Sequence, residues 1–354
     1  MKQYYKVVEK VQELLRVNSE WKDRYAKYMV ALKILIDAKA VPEAQKKFSV
    51  PMPFQLYLPL SMAVNDCNTD QIVFDLRFHG QSVATLWINK KKDDIKLKIK
   101  HNKNVCSEIK KDTDKKILDA IKDNKYDWHS IEAKEFRRIY TELEEELNKE
   151  KNCIGGQPEH NMESMLLQNY AQMSSMQKEI SNIQPVTMLG SHVFFQMPTP
   201  IRASNVKKDI DQLEYANQYG GGIDILARVG IGRKTTLAVL ELKDENKASE
   251  SPECALRQAI AYATFLHALL RSDCGQQWWE FFGFGGIIPK ELKLKVVVVM
   301  PYRNNKEAIE QHTQEFIDSI QKENIIQLPD TMDQFELGYI FRDSTTGEII
   351  KFLD

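Results

Sequence analysis

Two apolar segments joined by a short turn, in the second half of the sequence, place the strongest limit on what this chain can fold into. Residues 223–229 (IDILARV) and 235–243 (TTLAVLELK) lack the 3.6-residue apolar period of a surface helix and predict strands. Because Gly230–Arg233 form only a short turn, the two strands are expected to be antiparallel neighbours. A helix start at Ser251 and a buried strand at Lys295–Met300 follow. This order predicts a mixed sheet with helices packed against it.

The first half of the sequence follows a different pattern. Residues 1–40 have helical periodicity, residues 71–99 alternate as three strands do, and residues 131–151 are again helical and strongly acidic. A Gly-Gly-Gln-Pro segment then breaks the pattern. We therefore predict an α/β (α+β) protein with an α+β domain at residues 1–154 and a second domain at residues 155–354 that contains every element of its own core.

Three further elements are predicted in the second half. A helix rich in methionine and glutamine is expected at residues 159–183, and a short strand at residues 192–197, where two prolines end it. A terminal hairpin is expected around Thr345–Gly347.

Composition narrows the class of protein. The 354 residues are 43% hydrophobic and 28% charged, as in globular domains, and no apolar run is long enough for a membrane span. The five cysteines lack any CxxC spacing, which predicts free thiols in a reducing compartment rather than zinc ligands or disulfides. We therefore expect a cytoplasmic protein without a membrane partner. A net charge of −1 means that any nucleic-acid surface must be local.

Three charged residues fall where charge is costly. Asp224 is flanked by apolar residues within the first predicted strand, and Glu241 and Lys243 end the second. Buried carboxylates must be neutralised, paired or bound to a cation. Since residues i and i+2 of a strand share a face, the three side chains are expected to converge at one sheet end. There the two carboxylates and the Leu242 backbone carbonyl could hold Mg²⁺ or Mn²⁺. The alternative is a structural ion-pair network that includes Arg228.

These segments are similar to motifs of the PD-(D/E)XK nuclease superfamily, particularly its RecB-like branches. The resemblance covers roughly residues 160–300. It matches the motif residues as follows: Asp224 with the aspartate, Glu241 and Lys243 with the (D/E)xK pair, Gln258 and Tyr262 with the QxxxY of the next helix, and Glu163 with the glutamate of the first core helix. No proline directly precedes Asp224, unlike the motif that names the family.

The resemblance implies a restriction-endonuclease-like C-terminal domain, with a mixed central sheet flanked by helices. It implies a Mg²⁺- or Mn²⁺-dependent nuclease whose partner is nucleic acid, with DNA as the favoured substrate, acting in defence, restriction or repair. Gln258 and Tyr262 would then join the catalytic residues, and Glu163 would be a further metal ligand. The rival hypothesis is a catalytically inactive nuclease-fold module that binds nucleic acid or protein, and RNA stays open as a substrate.

Lysines alternate along one strand of the first half. Lys96, Lys98 and Lys100 share a face of the predicted strand, where they could contact phosphates. The alternative is that these lysines protect an exposed sheet edge from aggregation. The N-terminal domain would accordingly recognise the substrate, or mediate a homodimer or contact with another protein.

Overall fold

The computed structural model of the chain is mixed α/β, with helices and several sheets, one of which is mixed. It describes residues 1–48, 53–150, 154, 158–172, 183–188, 191–204, 206, 210–243, 250–302, 307–343 and 349–353. Across these ranges, no helix has both the length and the apolar character needed to span a bilayer. Cys67, Cys106, Cys254 and Cys274 are free thiols, as predicted. Cys153 and the hairpin predicted around Thr345–Gly347 lie outside the described residues.

Contacts group the chain into two compact units. The mixed-sheet unit comprises residues 1–26, 167–186 and 196–354, and the antiparallel-sheet unit comprises residues 27–166 and 187–195. Two long helices, α2 (Glu20–Asp37) and α8 (Pro158–Gln172), contribute residues to both. The units thus interleave along the sequence. The division into one domain at residues 1–154 and another at residues 155–354 stays a prediction.

The mixed-sheet unit is built around a seven-stranded sheet. Its strands are β6 (Ile183–Pro185), β11 (Ile225–Val229), β12 (Thr236–Leu242), β13 (Lys293–Tyr302), β14 (Ile325–Gln327), β15 (Gln334–Asp343) and β16 (Ile349–Phe352). Its helices are α1 (Lys2–Val17), α9 (Pro252–Leu270), α10 (Gly275–Phe281) and α11 (Glu307–Lys322). Two small ladders add β7 (Pro198–Thr199) with β10 (Gly221–Gly222) and β8 (Ile201–Arg202) with β9 (Glu214–Tyr215).

The strand order explains why the sheet is mixed. It runs β14-β15-β13-β12-β11-β6, and β16 pairs with β15. The short connection from β11 to β12 makes them antiparallel, as predicted, with Ile225 opposite Leu240. β12 and β13 are parallel, because α9 carries the chain back across the sheet between them. The middle of β12 and β13 is fully buried, so both strands are continuously apolar there.

Helix α9 begins where the sequence predicts it. The Ser251 side chain caps the helix by accepting a hydrogen bond from the backbone N–H of Cys254, and Pro252 occupies the first helical position. Most of the helix is apolar and buried, and it packs on β12 and β13. The cap thus fixes the start of the helix that covers the centre of the sheet.

Replacing Ser251 with alanine is expected to lower the free energy of unfolding by about 1 kcal/mol, because one N–H of the first turn loses its acceptor. Urea denaturation of the full chain measures this change. Ser251→Thr is the matched control, since its hydroxyl restores the acceptor. Equal destabilisation by alanine and threonine would show that the cap contributes nothing.

Residues from the N-terminus complete this unit. Helix α1 buries Val7, Val8 and Val11 against its surroundings and packs on α9. The ring of Trp21 meets that of Phe265 edge-on, with 5.7 Å between centroids. The prediction that residues 155–354 contain every element of their own core is therefore wrong. The apolar face of α9 is wide enough to need a second covering layer, and the N-terminal segment supplies it.

The antiparallel-sheet unit contains a five-stranded sheet in sequential order. Its strands are β1 (Phe54–Tyr57), β2 (Gln71–Phe78), β3 (Gln81–Asn89), β4 (Asp94–Ile99) and β5 (Lys125–Asp127). Its helices are α3 (Ala40–Lys46), α4 (Leu60–Asn65), α5 (Lys103–Glu108), α6 (Asp112–Ile121) and α7 (Ile131–Glu150). The predicted strands β2 to β4 and the helix α7 are thus confirmed. Aromatic side chains join the sheet to α7, where the Phe54 and Phe136 rings stack with centroids 5.5 Å apart.

Two sequence predictions need correction or a limit. The strand predicted at residues 192–197 is reduced to isolated bridges of Phe194 with Tyr57 and Thr187, because the backbone hydrogen bonds of this segment do not continue into a regular ladder. The helix predicted at residues 159–183 is observed as α8 up to Gln172. Residues 173–182 lie outside the part of the chain that the structure describes.

Candidate active site

The acids and the lysine predicted to converge lie at one end of the β11–β12 pair. The register sets Ile225 opposite Leu240, so the residue before β11 faces the residue after Leu240. Asp224 and Glu241 are therefore neighbours across the two strands. Lys243 follows Glu241 by two residues and points to the same face. The geometry brings together all three residues on which the catalytic hypothesis depends.

Asp224 differs from the prediction in one respect. It was expected within the first strand, but β11 begins at Ile225 and Asp224 forms a bend just before it. Its Oδ2 atom accepts a hydrogen bond of 2.8 Å from the backbone N–H of Leu242. The carboxylate thus takes the place of a backbone carbonyl in the ladder, which ends the regular pairing one residue early. This bond anchors the Asp224 side chain beside β12.

Glu241 and Lys243 form a buried ion pair. The Glu241 side chain is 0% exposed and that of Lys243 is 3% exposed, with 2.5 Å between the lysine Nζ and the glutamate Oε1. Charges removed from water in this way require close pairing and further hydrogen bonds. The pair keeps an ammonium group beside the two carboxylates.

The two carboxylates fit a shared divalent cation. One oxygen of Asp224 and one of Glu241 lie within 4.8 Å of each other. Two oxygens bound to one Mg²⁺ at its usual bond length are at most about 4 Å apart, so the two carboxylates are close enough to share a cation. Hard oxygen donors are also the ligands that Mg²⁺ and Mn²⁺ prefer.

A second glutamate, which the sequence analysis missed, lies beside the lysine. Glu250 is buried, and its Oε2 is 3.9 Å from the Lys243 Nζ. Lys243 therefore has an acid on each side. The sequence carried one signal: Glu250 directly precedes Ser251, the cap of α9, so it stands at the start of a helix that the fold must bring against β12.

Gln258 and Tyr262 lie one turn apart on α9, as the QxxxY motif requires. The Gln258 side-chain amide donates to the Tyr262 hydroxyl over 3.4 Å. Burial raises the pKa of the Tyr262 phenol well above its ordinary value, and the negative charges of Glu241 and Asp224 raise it further. The phenol therefore keeps its proton. A Cβ at Gly221 would lie only 2.5 Å from this oxygen, so any other residue there would displace the tyrosine.

Leu242 and Arg228 test two other predictions. Leu242 is fully buried, as expected between Glu241 and Lys243, and its N–H bonds to Asp224. Its carbonyl as a metal ligand stays a prediction. Arg228 was the other cation of the structural alternative, but its two terminal nitrogens donate elsewhere, one to the Gly283 carbonyl and one to the Gln184 amide oxygen.

Glu163, the proposed ligand from the first core helix, belongs to the antiparallel-sheet unit. Its side chain is 5% exposed, and Oε2 is 3.5 Å from the His160 Nδ1 atom. Its charge also raises the pKa of the buried Tyr57 phenol, after the larger effect of burial itself. Its role as a metal ligand stays a prediction.

Lys96 and Lys98 of β4 share one face of the sheet, as predicted, and Lys100 directly follows the strand. β4 pairs with β3 on one side and β5 on the other, so it is not an edge strand, and edge protection does not account for them. Lys96 forms ion pairs with Asp94 and Asp127 at 3.1 and 3.4 Å. Lys100 forms one with Asp75 at 2.9 Å, whereas Lys98 is exposed.

The site is thus a carboxylate pair with an adjacent buried ammonium group, at the end of an antiparallel pair in a mixed sheet. Comparisons of the chain with family models, curated proteins and solved structures found no match. The functional assignment accordingly depends on the residues and their geometry.

Proposed function

We propose that this chain is a metal-dependent nuclease of the PD-(D/E)XK type, with Asp224, Glu241 and Lys243 as its catalytic core and DNA as the favoured substrate. The observation that carries the proposal is the burial of Glu241 and Lys243 beside Asp224 at the end of one strand pair. Buried charge is costly to retain, and this arrangement supplies what phosphodiester hydrolysis requires.

Each residue has a distinct task in the proposed reaction. Asp224 and Glu241 bind the cation, and the hydrogen bond from Leu242 holds Asp224 in place. Held by these carboxylates, Mg²⁺ or Mn²⁺ would supply Lewis-acid chemistry that polarises the phosphate and makes water more acidic. The Lys243 ammonium group offsets negative charge that develops on the phosphate. Tyr262, kept protonated, offers an O–H donor at the same place.

The direct test is cleavage by the purified full chain. Circular, linear and single-stranded DNA and RNA would be incubated with Mg²⁺, with Mn²⁺ and with EDTA. We expect DNA cleavage that needs the metal and is lost in Asp224→Ala. Cleavage that persists in EDTA or in that variant would contradict the assignment.

Metal binding should require both carboxylates. Calorimetry with Mn²⁺ is expected to detect binding to the parent chain and none to the Asp224→Ala, Glu241→Ala double variant. Binding should also raise the thermal stability of the parent, because only the native state binds. The matched control is Asp273→Ala, Glu291→Ala, which removes the same charge from exposed positions of the same unit. Equal Mn²⁺ binding by both double variants would contradict the metal site.

One observation favours a second candidate function, a nuclease-fold module that binds without cleaving. The 2.5 Å contact between Lys243 and Glu241 is also what a purely structural ion pair would form. The cleavage and calorimetric tests separate the two functions. A structural pair predicts neither metal-dependent cleavage nor Mn²⁺ binding that depends on Asp224.

A further inference from the structure

On the side of the five-stranded sheet away from α7, the side chains around β4 and β5 are exposed or partly exposed, whereas Asp75 of β2 and Thr85 of β3 are buried. Residues directly opposite in a ladder share a face, which places Trp87 with Lys96, and Lys98 with both Thr85 and Lys125. We call Trp87, Lys96, Lys98, Lys100 and Lys125 the lysine face. The apolar residues that alternate with them, such as Leu97, are buried on the other side.

Two cross-strand pairs on the lysine face differ in charge. Lys96 lies opposite Asp127 and forms an ion pair with it. The next pair on the same face, Lys98 opposite Lys125, joins two cations. Both of these lysines are exposed, and neither forms an ion pair within the part of the chain that the structure describes. Like charges directly opposite each other destabilise a sheet, so this pair costs stability that an opposite pair would provide.

The acids on the same face are already engaged. Asp75 binds Arg77, Lys100 and Ser82. Asp94 and Asp127 both bind Lys96. With Arg77, which lies on the same side of β2 as Asp75, the described part of this face has five basic and three acidic side chains. Its excess positive charge is concentrated at Lys98 and Lys125.

An aromatic ring lies beside the uncompensated pair. The Lys125 ammonium nitrogen is 4.3 Å from the centre of the Trp87 ring, and Trp87 is partly exposed. A cation over a ring at an exposed site contributes about 0.5–1 kcal/mol, whereas a stacked base contributes about 1–3 kcal/mol. A ligand with both an anion and a flat ring could therefore bind the Lys125 ammonium group through its anion and stack its ring on Trp87. The free energy gained by stacking would exceed that lost when the lysine leaves the indole.

We propose that the lysine face binds single-stranded nucleic acid, with Lys98 and Lys125 each on a backbone phosphate and Trp87 stacked against an unpaired base. A duplex keeps its bases inside, so the indole in the middle of a sheet face would have no partner. An acidic peptide would satisfy the lysines but offers no flat ring in a regular repeat with its charges. The proposal depends on the proposed function only in taking nucleic acid as the partner.

Binding is tested without cleavage by working in EDTA. The full chain would be titrated into fluorescein-labelled oligodeoxythymidine, and fluorescence anisotropy would be measured over a range of salt concentrations. The Lys98→Gln, Lys125→Gln variant is expected to bind more weakly, with a salt slope reduced by about 1.4 units for two lost phosphate contacts. Lys115→Gln, Lys116→Gln, an equal charge change on exposed residues of α6, should leave the slope unchanged. Trp87→Ala should lose about tenfold or more in affinity, and Trp87→Phe much less.

A stability measurement separates binding from structure. Lys125→Glu gives Lys98 an acidic neighbour, so this variant should unfold at a temperature no lower than the parent while binding the oligonucleotide more weakly. Equal binding by the parent and the double lysine variant would overturn the proposal, as would equal losses in the α6 control. Preferential binding of a duplex or of polyglutamate would also overturn it. Oligonucleotide binding that survives while metal-dependent cleavage is absent would contradict the proposed function alone.

Discussion

Replacing Lys243 with alanine is expected to reduce DNA cleavage by about 10²–10³-fold, because it removes a charge aimed at the reacting phosphate. The same change leaves Glu241 and Glu250 buried without the cation between them. Breaking a buried ion pair by removing one partner costs about 3–5 kcal/mol, so the variant should also unfold at a lower urea concentration in EDTA. Mn²⁺ should recover part of that stability, since it brings positive charge back to Glu241.

Loss of folding must be distinguished from loss of chemistry in this experiment. Lys295→Ala is the matched control, because Lys295 is a buried lysine of the same sheet that pairs with Glu336 at 3.3 Å. It should destabilise the chain without recovery by Mn²⁺, and its folded molecules should cleave at the parent rate. Rates would be measured below the unfolding transition of both variants. Undiminished cleavage by folded Lys243→Ala molecules would show that the lysine has no catalytic part.

The second large effect is expected at Asp333, which is not part of the candidate active site. Its carboxylate accepts hydrogen bonds from the Arg271 guanidinium at 2.5 and 2.8 Å, from His267 at 2.8 Å and from the Leu292 N–H at 2.7 Å. Asp333→Ala leaves the three donor residues, Arg271, His267 and Leu292, without the carboxylate that accepts their hydrogen bonds. We expect a loss of about 3–5 kcal/mol in the free energy of unfolding, measured by urea denaturation at pH 7. Glu323→Ala, an exposed acid of the same unit, should change stability by less than about 0.5 kcal/mol.

The effect of Asp333 should depend on pH in a defined direction. Burial alone would raise the pKa of this carboxyl, but the hydrogen bonds from Arg271 and His267 outweigh burial and lower it to about 2. A depressed pKa stabilises the fold above the ordinary value near 4, and the contribution, on the order of 2 kcal/mol, is lost as pH falls from about 4 to about 2. The difference between the parent and Asp333→Ala should therefore shrink over that interval. A constant difference from pH 7 to pH 2 would show that the charge is not what stabilises the fold.

Local pattern made the centre of the candidate site predictable. Glu241 and Lys243 share a strand, and the short turn before it fixes which strand lies alongside, so their convergence with Asp224 follows from short-range geometry. The bend at Asp224 was not predictable, because it depends on a bond from the Leu242 N–H to a side chain. Glu250 escaped notice for a similar reason, since its place beside Lys243 is set by how α9 packs.

The lysine face was likewise predictable within one strand but not between strands that are distant in the sequence. The alternation in β4 predicted that Lys96, Lys98 and Lys100 share a face. The pairing of Lys98 with Lys125 was beyond the sequence, because two helices, α5 and α6, separate β4 from β5. Registers of strands joined by long connections are set by tertiary packing, which single-sequence patterns do not encode.

The packing of α1 on α9 has a consequence for folding during synthesis on the ribosome. Val7 and Val11 of α1 are translated before α9, the helix on which α1 packs, which begins more than two hundred positions later in the sequence. Loops of that length close slowly, and partly made chains with exposed apolar surface are prone to aggregate. Helix α1 must therefore stay uncovered, or be bound by a chaperone, until α9 has been translated. Slower translation would lengthen that wait and lower the yield of active chains.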